Sequence, residues 1–180
     1  IVVPFSPGGS NDVIARAIAV PLAKRLDIPV IVENRAGAAG VIGADYVAKS
    51  ARDGSVLLLT SSSFLTAAAT QKQLPYDPLA AFAPVAMVGR GPMLLAVSAT
   101  TAFRSPADLV AAARAQPEAL NYGTAGVGSI AHLTTELLDD TAKIRMTHVP
   151  YKGAANAAVD LAGGQIQVMI SNYSTVAPLL

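Results

Sequence analysis

Pro4-Phe5-Ser6-Pro7-Gly8-Gly9-Ser10-Asn11-Asp12 follows directly on the apolar triplet Ile1-Val2-Val3. It reads as a strand that runs into a glycine-rich turn and then into a helix start. Glycine lets backbone amides approach a ligand, and a helix start carries unsatisfied N–H groups at the positive end of its dipole, so a carboxylate or phosphate is attracted there. Phe5, Pro7, Gly8, Gly9 and Ser10 are therefore candidate ligand contacts. The same residues also suit an ordinary βα turn capped by Ser10. Asp12 lies in the first helical turn, where an acid complements the dipole without touching a ligand. No Gly-Lys-Ser or Gly-Lys-Thr follows, and Gly8-Gly9 lacks the dinucleotide-binding spacing, so a nucleotide is disfavoured.

A second stretch repeats the arrangement. Tyr122-Gly123-Thr124-Ala125-Gly126-Val127-Gly128-Ser129 is again strand, glycine-rich turn and helix start, and adds Thr124, Gly126, Gly128 and Ser129 to the candidates. Two such turns, with the free amides of Gly8 and Gly128 facing one cleft, would clamp an anion; otherwise they are two turns that never meet. Ligands of open α/β sheets bind beyond the carboxyl ends of strands. That rule adds Ser61 and Ser62, behind the third strand, and Ser171 and Asn172, behind the last. For Ser63 and Tyr173 the simpler reading is a place at the start of a helix.

Outward from these turns, short apolar runs alternate with helical periods, the pattern of βαβ units around a mostly parallel sheet. Strands are expected at residues 1–4, 30–33, 55–60, 85–88, 93–98, 120–122, 146–149 and 167–170. Helices are expected at 11–26, 41–50, 106–115, 130–141, 154–163 and from Ser174 onward. Ser105-Pro106-Ala107-Asp108 combines an N-cap serine, a first-position proline and an acid in the first turn. Pro21 should kink or break the first helix near Val20. Gly89-Arg90-Gly91-Pro92 and Ser98-Ala99-Thr100-Thr101 read as a hinge. The resulting expectation is an α/β protein of two lobes, residues 1–99 and 100–180.

Composition narrows the function. Hydrophobic residues make up 52% of the 180, enough for a packed core, and 13 Lys and Arg against 12 Asp and Glu leave a net charge of +1. So even a balance provides no field to hold nucleic acid or an anionic membrane. Without cysteine there is no disulfide frame, no Cys-based zinc site and no thiol nucleophile. Apolar runs such as Val56–Leu59 are far shorter than the roughly 18 residues of a membrane span. The opening at Ile1, with no initiator Met, reads as a mature or trimmed product, and the apolar ending Val176 to Leu180 reads as a lobe cut short.

Catalytic and metal candidates are sparse. His132, in a helix, and His148, in an apolar strand, have no ligand spacing between them and read as structural histidines. Asp139 and Asp140, beside Lys143 and Arg145, read as a solvated surface. No serine occupies a nucleophile elbow. No catalytic residue, metal or cofactor is expected.

With these motifs in place, the chain resembles the Bug family of periplasmic solute receptors, the TctC-like binding components of tripartite tricarboxylate transporters. The resemblance rests on Val3-Pro4-Phe5 with Pro7-Gly8-Gly9-Ser10 and Asp12, Val32-Glu33-Asn34-Arg35-Ala36-Gly37-Ala38, Ile42-Gly43-Ala44 and Asp53-Gly54. It continues through Leu74-Pro75-Tyr76-Asp77-Pro78, Thr147-His148-Val149-Pro150-Tyr151-Lys152-Gly153 and Gly164-Gln165, in family order.

This resemblance implies a type II periplasmic-binding-protein fold whose two α/β lobes close, as a Venus flytrap does, over an organic carboxylate. Phe5 to Ser10 and Thr124 to Ser129 would pin the carboxylate, and Ser61 to Ser63 with Ser171-Asn172 would form the remaining walls. It also implies a C-terminal part beyond Leu180 that completes the first lobe, missing from this sequence. The family's frequent Asp is Ser171 here, a common Gly is Lys143, and Pro-Asp-Gly is Arg52-Asp53-Gly54.

The expected function is that of a periplasmic solute-binding protein, not an enzyme. It would take a small organic carboxylate as ligand and membrane subunits of the tripartite transporter as partners, its signal peptide already removed and no segment inserted in the membrane. The alternatives are a module that presents its ligand to a membrane sensor and, less favoured, an enzyme on a similar fold.

Overall fold

The computed structural model describes residues 1–179, so Leu180, the end of the expected second lobe and of the helix from Ser174, lies outside the described residues. Two sheets organise the chain. In the first, β1 (Val2–Val3) pairs in parallel with β2 (Glu33–Asn34), and Leu58 adds one parallel bridge to Val2. Around it lie α1 (Ser10–Leu26), a 3-10 turn at Ala38–Gly40, α2 (Val41–Ala48) and α3 (Ser63–Thr70).

The second sheet has four strands in the order β3-β6-β4-β5: β3 (Met93–Val97), β4 (Asn121–Thr124), β5 (Thr147–Pro150) and β6 (Val168–Asn172). Here β3 is antiparallel to β6 and the other pairs are parallel. Covering the sheet are α4 (Pro106–Ala115), α5 (Ile130–Ala142), α6 (Ala154–Ala162) and α7 (Tyr173–Val176), the last running into a 3-10 turn at Ala177–Leu179.

Strand β6 explains why this sheet is the better-packed part. Val168 packs with Leu109, Ala113, Tyr122, Ile144 and Met146 on one face. Its neighbour Met169 packs with Ala157, Leu161, Ile166 and Val176 on the other. A strand buried on both faces needs such an unbroken apolar run. The first sheet is thinner: Val3, Phe5 and Ala15 form one small core and Ala39, Val41 and Ala67 another. Among the described residues, no helix is long and apolar enough to cross a membrane.

Several expectations change. Residues 55–60 contribute a single bridge, with Val2 donating to the Leu57 carbonyl at 2.7 Å and Leu59 donating back at 2.9 Å. Only two residues of β1 are available to pair, so the ladder goes no further. Residues 85–88 form no strand: Val85 is 81% exposed and no neighbouring strand pairs with it. The segment is instead held at its start, where Phe82 packs edge-on against Phe64 and Tyr76 at 5.1 and 5.5 Å.

A division at residue 99 assigns Met93–Val97 to the first lobe, yet all five residues pair with β6, because their apolar side chains complete the second sheet's core. The passage between sheets thus precedes Met93 and includes Gly89-Arg90-Gly91-Pro92. Ser98–Thr101 is a turn closed by Thr101 donating to Ser98 O at 3.0 Å.

Helix α1 continues uninterrupted through Pro21. The ring removes the bond to the carbonyl of Ala17, four residues earlier, and Ala17 is exposed, so the helix loses that bond at a solvent-facing position and not in the core. Asp139 also departs from a surface reading. It is buried on the Ala131-Thr135-Asp139 face of α5 and accepts from the Met146 amide at 2.8 Å, fixing the α5–β5 turn. Asp140 is exposed and pairs with Lys143.

Lys143 itself ends α5 in the left-handed region at φ 53°, a conformation that costs a side chain about 1 kcal/mol relative to glycine. Its ion pair with Asp140 is exposed and contributes little. We therefore expect Lys143→Gly to raise Tm by about 2 °C in a thermal melt; an unchanged or lower Tm would contradict the strain.

Candidate functional site

The first turns of three helices open into one cavity between the two sheets. Gly9, Ser10, Asn11 and Asp12 of α1, Ser129, Ile130 and Ala131 of α5, and Ala154 of α6 line it, together with Phe5, Ser61, Ser63, Met93, Ala125, Ser171 and Asn172. It encloses about 50 Å³, room for roughly four water-sized groups. The amides of Asn11, Asp12 and Ala131 precede the first intrahelical acceptor and have no helical partner. The lining contains no cationic side chain, so attraction for an anion comes from these amides and the helix dipoles.

Asp12 builds one wall. Its carboxylate is buried and accepts from the Gly8 amide at 3.0 Å, from Arg16 Nε at 3.0 Å and from Asn34 Nδ2 at 2.9 Å. Asn34 also donates to the Phe5 carbonyl at 3.1 Å. Burial by itself raises the carboxyl's pKa, but the bonds from Arg16, Gly8 and Asn34 outweigh it and hold the group below its ordinary value. Asp12 thus does more than complement a dipole: it ties the Phe5–Gly8 turn to the end of β2. Gly8 reaches this geometry at φ 83°, which favours glycine.

The opposite wall is held by two histidines. Gly128 donates its amide to His132 Nδ1 at 3.3 Å, and Gly126 donates to Thr124 Oγ1 at 3.2 Å, which lies 2.7 Å from His148 Nε2. The imidazole centroids are 4.2 Å apart, and Tyr122 stacks on His148 at 4.9 Å. Tyr122 donates its hydroxyl to Glu136, which also faces His132 Nε2 at 3.8 Å. Burial, then the field of His132, lowers the pKa of His148 to about 4, with Glu136 opposing. Burial, then the Glu136 bond, raises that of Tyr122.

Seven of the residues singled out from sequence line the cavity: Phe5, Gly9, Ser10, Ser61, Ser129, Ser171 and Asn172. Pro7, Gly8, Ser62, Thr124, Gly126 and Gly128 are not part of the lining. The expectation of free amides at Gly8 and Gly128 is corrected, since Asp12 and His132 already accept from them. Both glycines do lie on the seam between the sheets: a Cβ on Gly8 would lie 3.7 Å from Ala155, and one on Gly128 would lie 2.5 Å from Thr70 Oγ1.

Contacts that cross the seam were not legible one by one in sequence. Ser63 Oγ accepts from the Ile130 amide at 3.1 Å, and Ser10 Oγ donates to Asn172 Oδ1 at 3.3 Å. A Cβ on Gly153 would meet Ser6 N at 2.7 Å. Ser63 is therefore more than a helix start; it sits in the lining and bonds across to α5. Tyr173 is 60% exposed at the start of α7, away from the lining. Asn11, Met93, Ala131 and Ala154 carried no local signal, because what brings them together is the approach of the two sheets.

Comparison with known proteins follows the same lines. Residues 14–180 match the model of the tripartite tricarboxylate transporter family receptor, TctC. The protein BugT of Bordetella pertussis is 43% identical over 178 residues, covering 98% of this chain and 55% of BugT. A structure of an R. palustris protein with adipate superimposes with a TM-score of 0.95 at 38% identity, covering 99% of this chain and 60% of that one. MatC from Rhodopseudomonas palustris, with bound malate, gives 0.88 at 31% identity, covering 98% and 61%. The chain thus spans about half the length of the curated relatives it matches.

Proposed function

This chain belongs to the tripartite tricarboxylate transporter receptor family, and from that premise we propose that it captures a small organic carboxylate in the cleft between its two sheets. The convergence of the α1, α5 and α6 first turns on one cavity carries the proposal. Each helix terminus contributes about 0.3–2 kcal/mol toward an anion, and with amide hydrogen bonds several together support micromolar affinity. Hydroxyls of Ser10, Ser61, Ser63 and Ser171 and the amide of Asn172 supply neutral hydrogen bonding along the rest of the ligand. Binding of adipate and malate by structural relatives supports this ligand class, and the cavity's size argues for a compact acid.

Delivery to membrane subunits of a tripartite transporter and residence in the periplasm are parts of the same proposal, supported by the family and by the periplasmic proteins that match. The periplasmic binding protein BugD is among the structures that match, which supports capture without turnover.

Calorimetry on the whole receptor with malonate, succinate, malate, adipate and citrate tests the reading, with succinamide as the neutral control. Micromolar binding of at least one acid and none of succinamide is expected. If no acid produces heat or a thermal shift, or if succinamide binds as well as succinate, the proposal fails.

A further inference from the structure

Neither histidine touches the cavity, yet both stand where they control the backbone beside it. His132 occupies the third position of α5, from which its ring reaches back to the Gly128 amide. Only an unprotonated Nδ1 can accept that N–H, so the proton of neutral His132 sits on Nε2, the nitrogen facing Glu136. His148 reaches the same turn through Thr124, a fully buried hydroxyl that accepts from Gly126.

Gly126 and Gly128 have φ of 118° and 84°, so a helical or extended default does not hold this turn. Its shape depends on having acceptors for the two amides. The turn leads directly into Ser129, Ile130 and Ala131, which line the cavity.

We propose that His132 is a positioning residue: its Nδ1 clasps the Gly128 amide, aims the first turn of α5 at the ligand, and lets go when protonated, while His148, 4.2 Å away between ring centroids, backs Thr124, the acceptor of the Gly126 amide. The proposal rests on the reading of the cleft as an anion-capture site. A proton on His132 Nδ1 sets one donor against another at Gly128, and a second positive charge in the stack is opposed by the first at 4.2 Å between ring centroids.

The groups facing the pair support that behaviour. Glu136 on α5 and Tyr122 on β4 contact it, with Asp139 further along the same helix. The facing helix α3 and the neighbouring strand β6 carry no titratable side chain. Glu136 is engaged by Tyr122, so only one carboxylate borders the pair. Burial and the neighbouring ring already oppose charge on His148.

The test uses the whole receptor and three side chains at one position. In the ligand-free protein, nitrogen NMR should show His132 protonated on Nε2, and His132→Phe, which keeps a ring but removes the acceptor, should speed hydrogen exchange of the Gly128 amide by about tenfold or more. His132→Gln, which restores an acceptor that does not titrate, should bring exchange back to within about threefold. With succinate and malate as probes, His132→Phe should weaken binding by about tenfold. On acidification the wild type should lose more affinity than His132→Gln, whose own loss reports protonation of the succinate or malate probe.

A proton found on His132 Nδ1 at neutral pH, unchanged Gly128 exchange in the Phe variant, or the same acid-induced loss in the Gln variant would each overturn the clasp. If no probe binds the wild type, the carboxylate reading fails, and the NMR arm still decides the clasp. Should His132→Phe not fold, the wild-type spectrum and the Gln variant decide it.

Discussion

Asp12→Ala is expected to lower stability by about 3 kcal/mol and Tm by about 8 °C. The substitution leaves the Gly8 amide and the Asn34 side chain without the carboxylate they now share, at a position only 4% exposed. It also frees the Phe5–Gly8 turn, so carboxylate affinity of the whole receptor should fall at least about tenfold. The pH dependence has a definite sign. Asp12's pKa is lowered in the folded protein, so its stabilisation is fully present above the unfolded carboxyl value near 3.9 and is lost as pH falls through the lower folded value. Chemical denaturation at pH 7 and in strong acid reads both effects: a large difference between wild type and variant at pH 7 that closes only in strong acid. A variant as stable as the wild type at pH 7 would show that the network does not hold the turn.

The second large effect falls on closure. Gly153 caps α6 in an extended conformation at φ 177°, which any residue adopts, so Gly153→Ala should leave each sheet folded. Its added Cβ, however, would stand 2.7 Å from Ser6 N and 2.9 Å from Ser6 Cβ in the facing wall, and backbone cannot yield cheaply there. The sheets must therefore sit further apart, and the α6 terminus must withdraw from the site. Carboxylate affinity should drop about 100-fold, while ligand-free Tm changes by less than about 2 °C. Titration calorimetry beside a thermal melt separates the two quantities. Binding as tight as wild type would show that the seam at Ser6 is not part of the capturing state.

Much of the architecture was legible because it is written locally. Ser105-Pro106-Ala107-Asp108 predicts the start of α4, and the structure has the complete capping box there, with Ser105 accepting from the Asp108 amide and Asp108 from the Ser105 amide. The unbroken apolar run through Val168, Met169 and Ile170 predicts a strand covered on both faces, which β6 is. Residues 55–60 and 85–88 read equally well as strands and failed for one reason: a strand needs a neighbour, and nothing in its own sequence says whether one is present. Asp139 was readable in principle, since its spacing from Ala131 and Thr135 puts it on the buried face of α5; its charge suggested otherwise.

By itself the sequence determined the helix starts and the glycine turns, because propensity, capping and positive φ are decided within a few residues of chain. Tertiary structure alone decided which donors remain free. Gly8 and Gly128 looked available in the sequence, and are taken by Asp12, four residues on, and by His132, four residues on. The amides without a helical partner belong to Asn11, Asp12 and Ala131, which line the cavity from α1 and α5. A hydrogen bond is satisfied or not by what lies within about 3 Å of it: Asp12 and His132 could have turned elsewhere, and the Ile130 amide is taken by Ser63 Oγ from another part of the chain, where no local rule can place it.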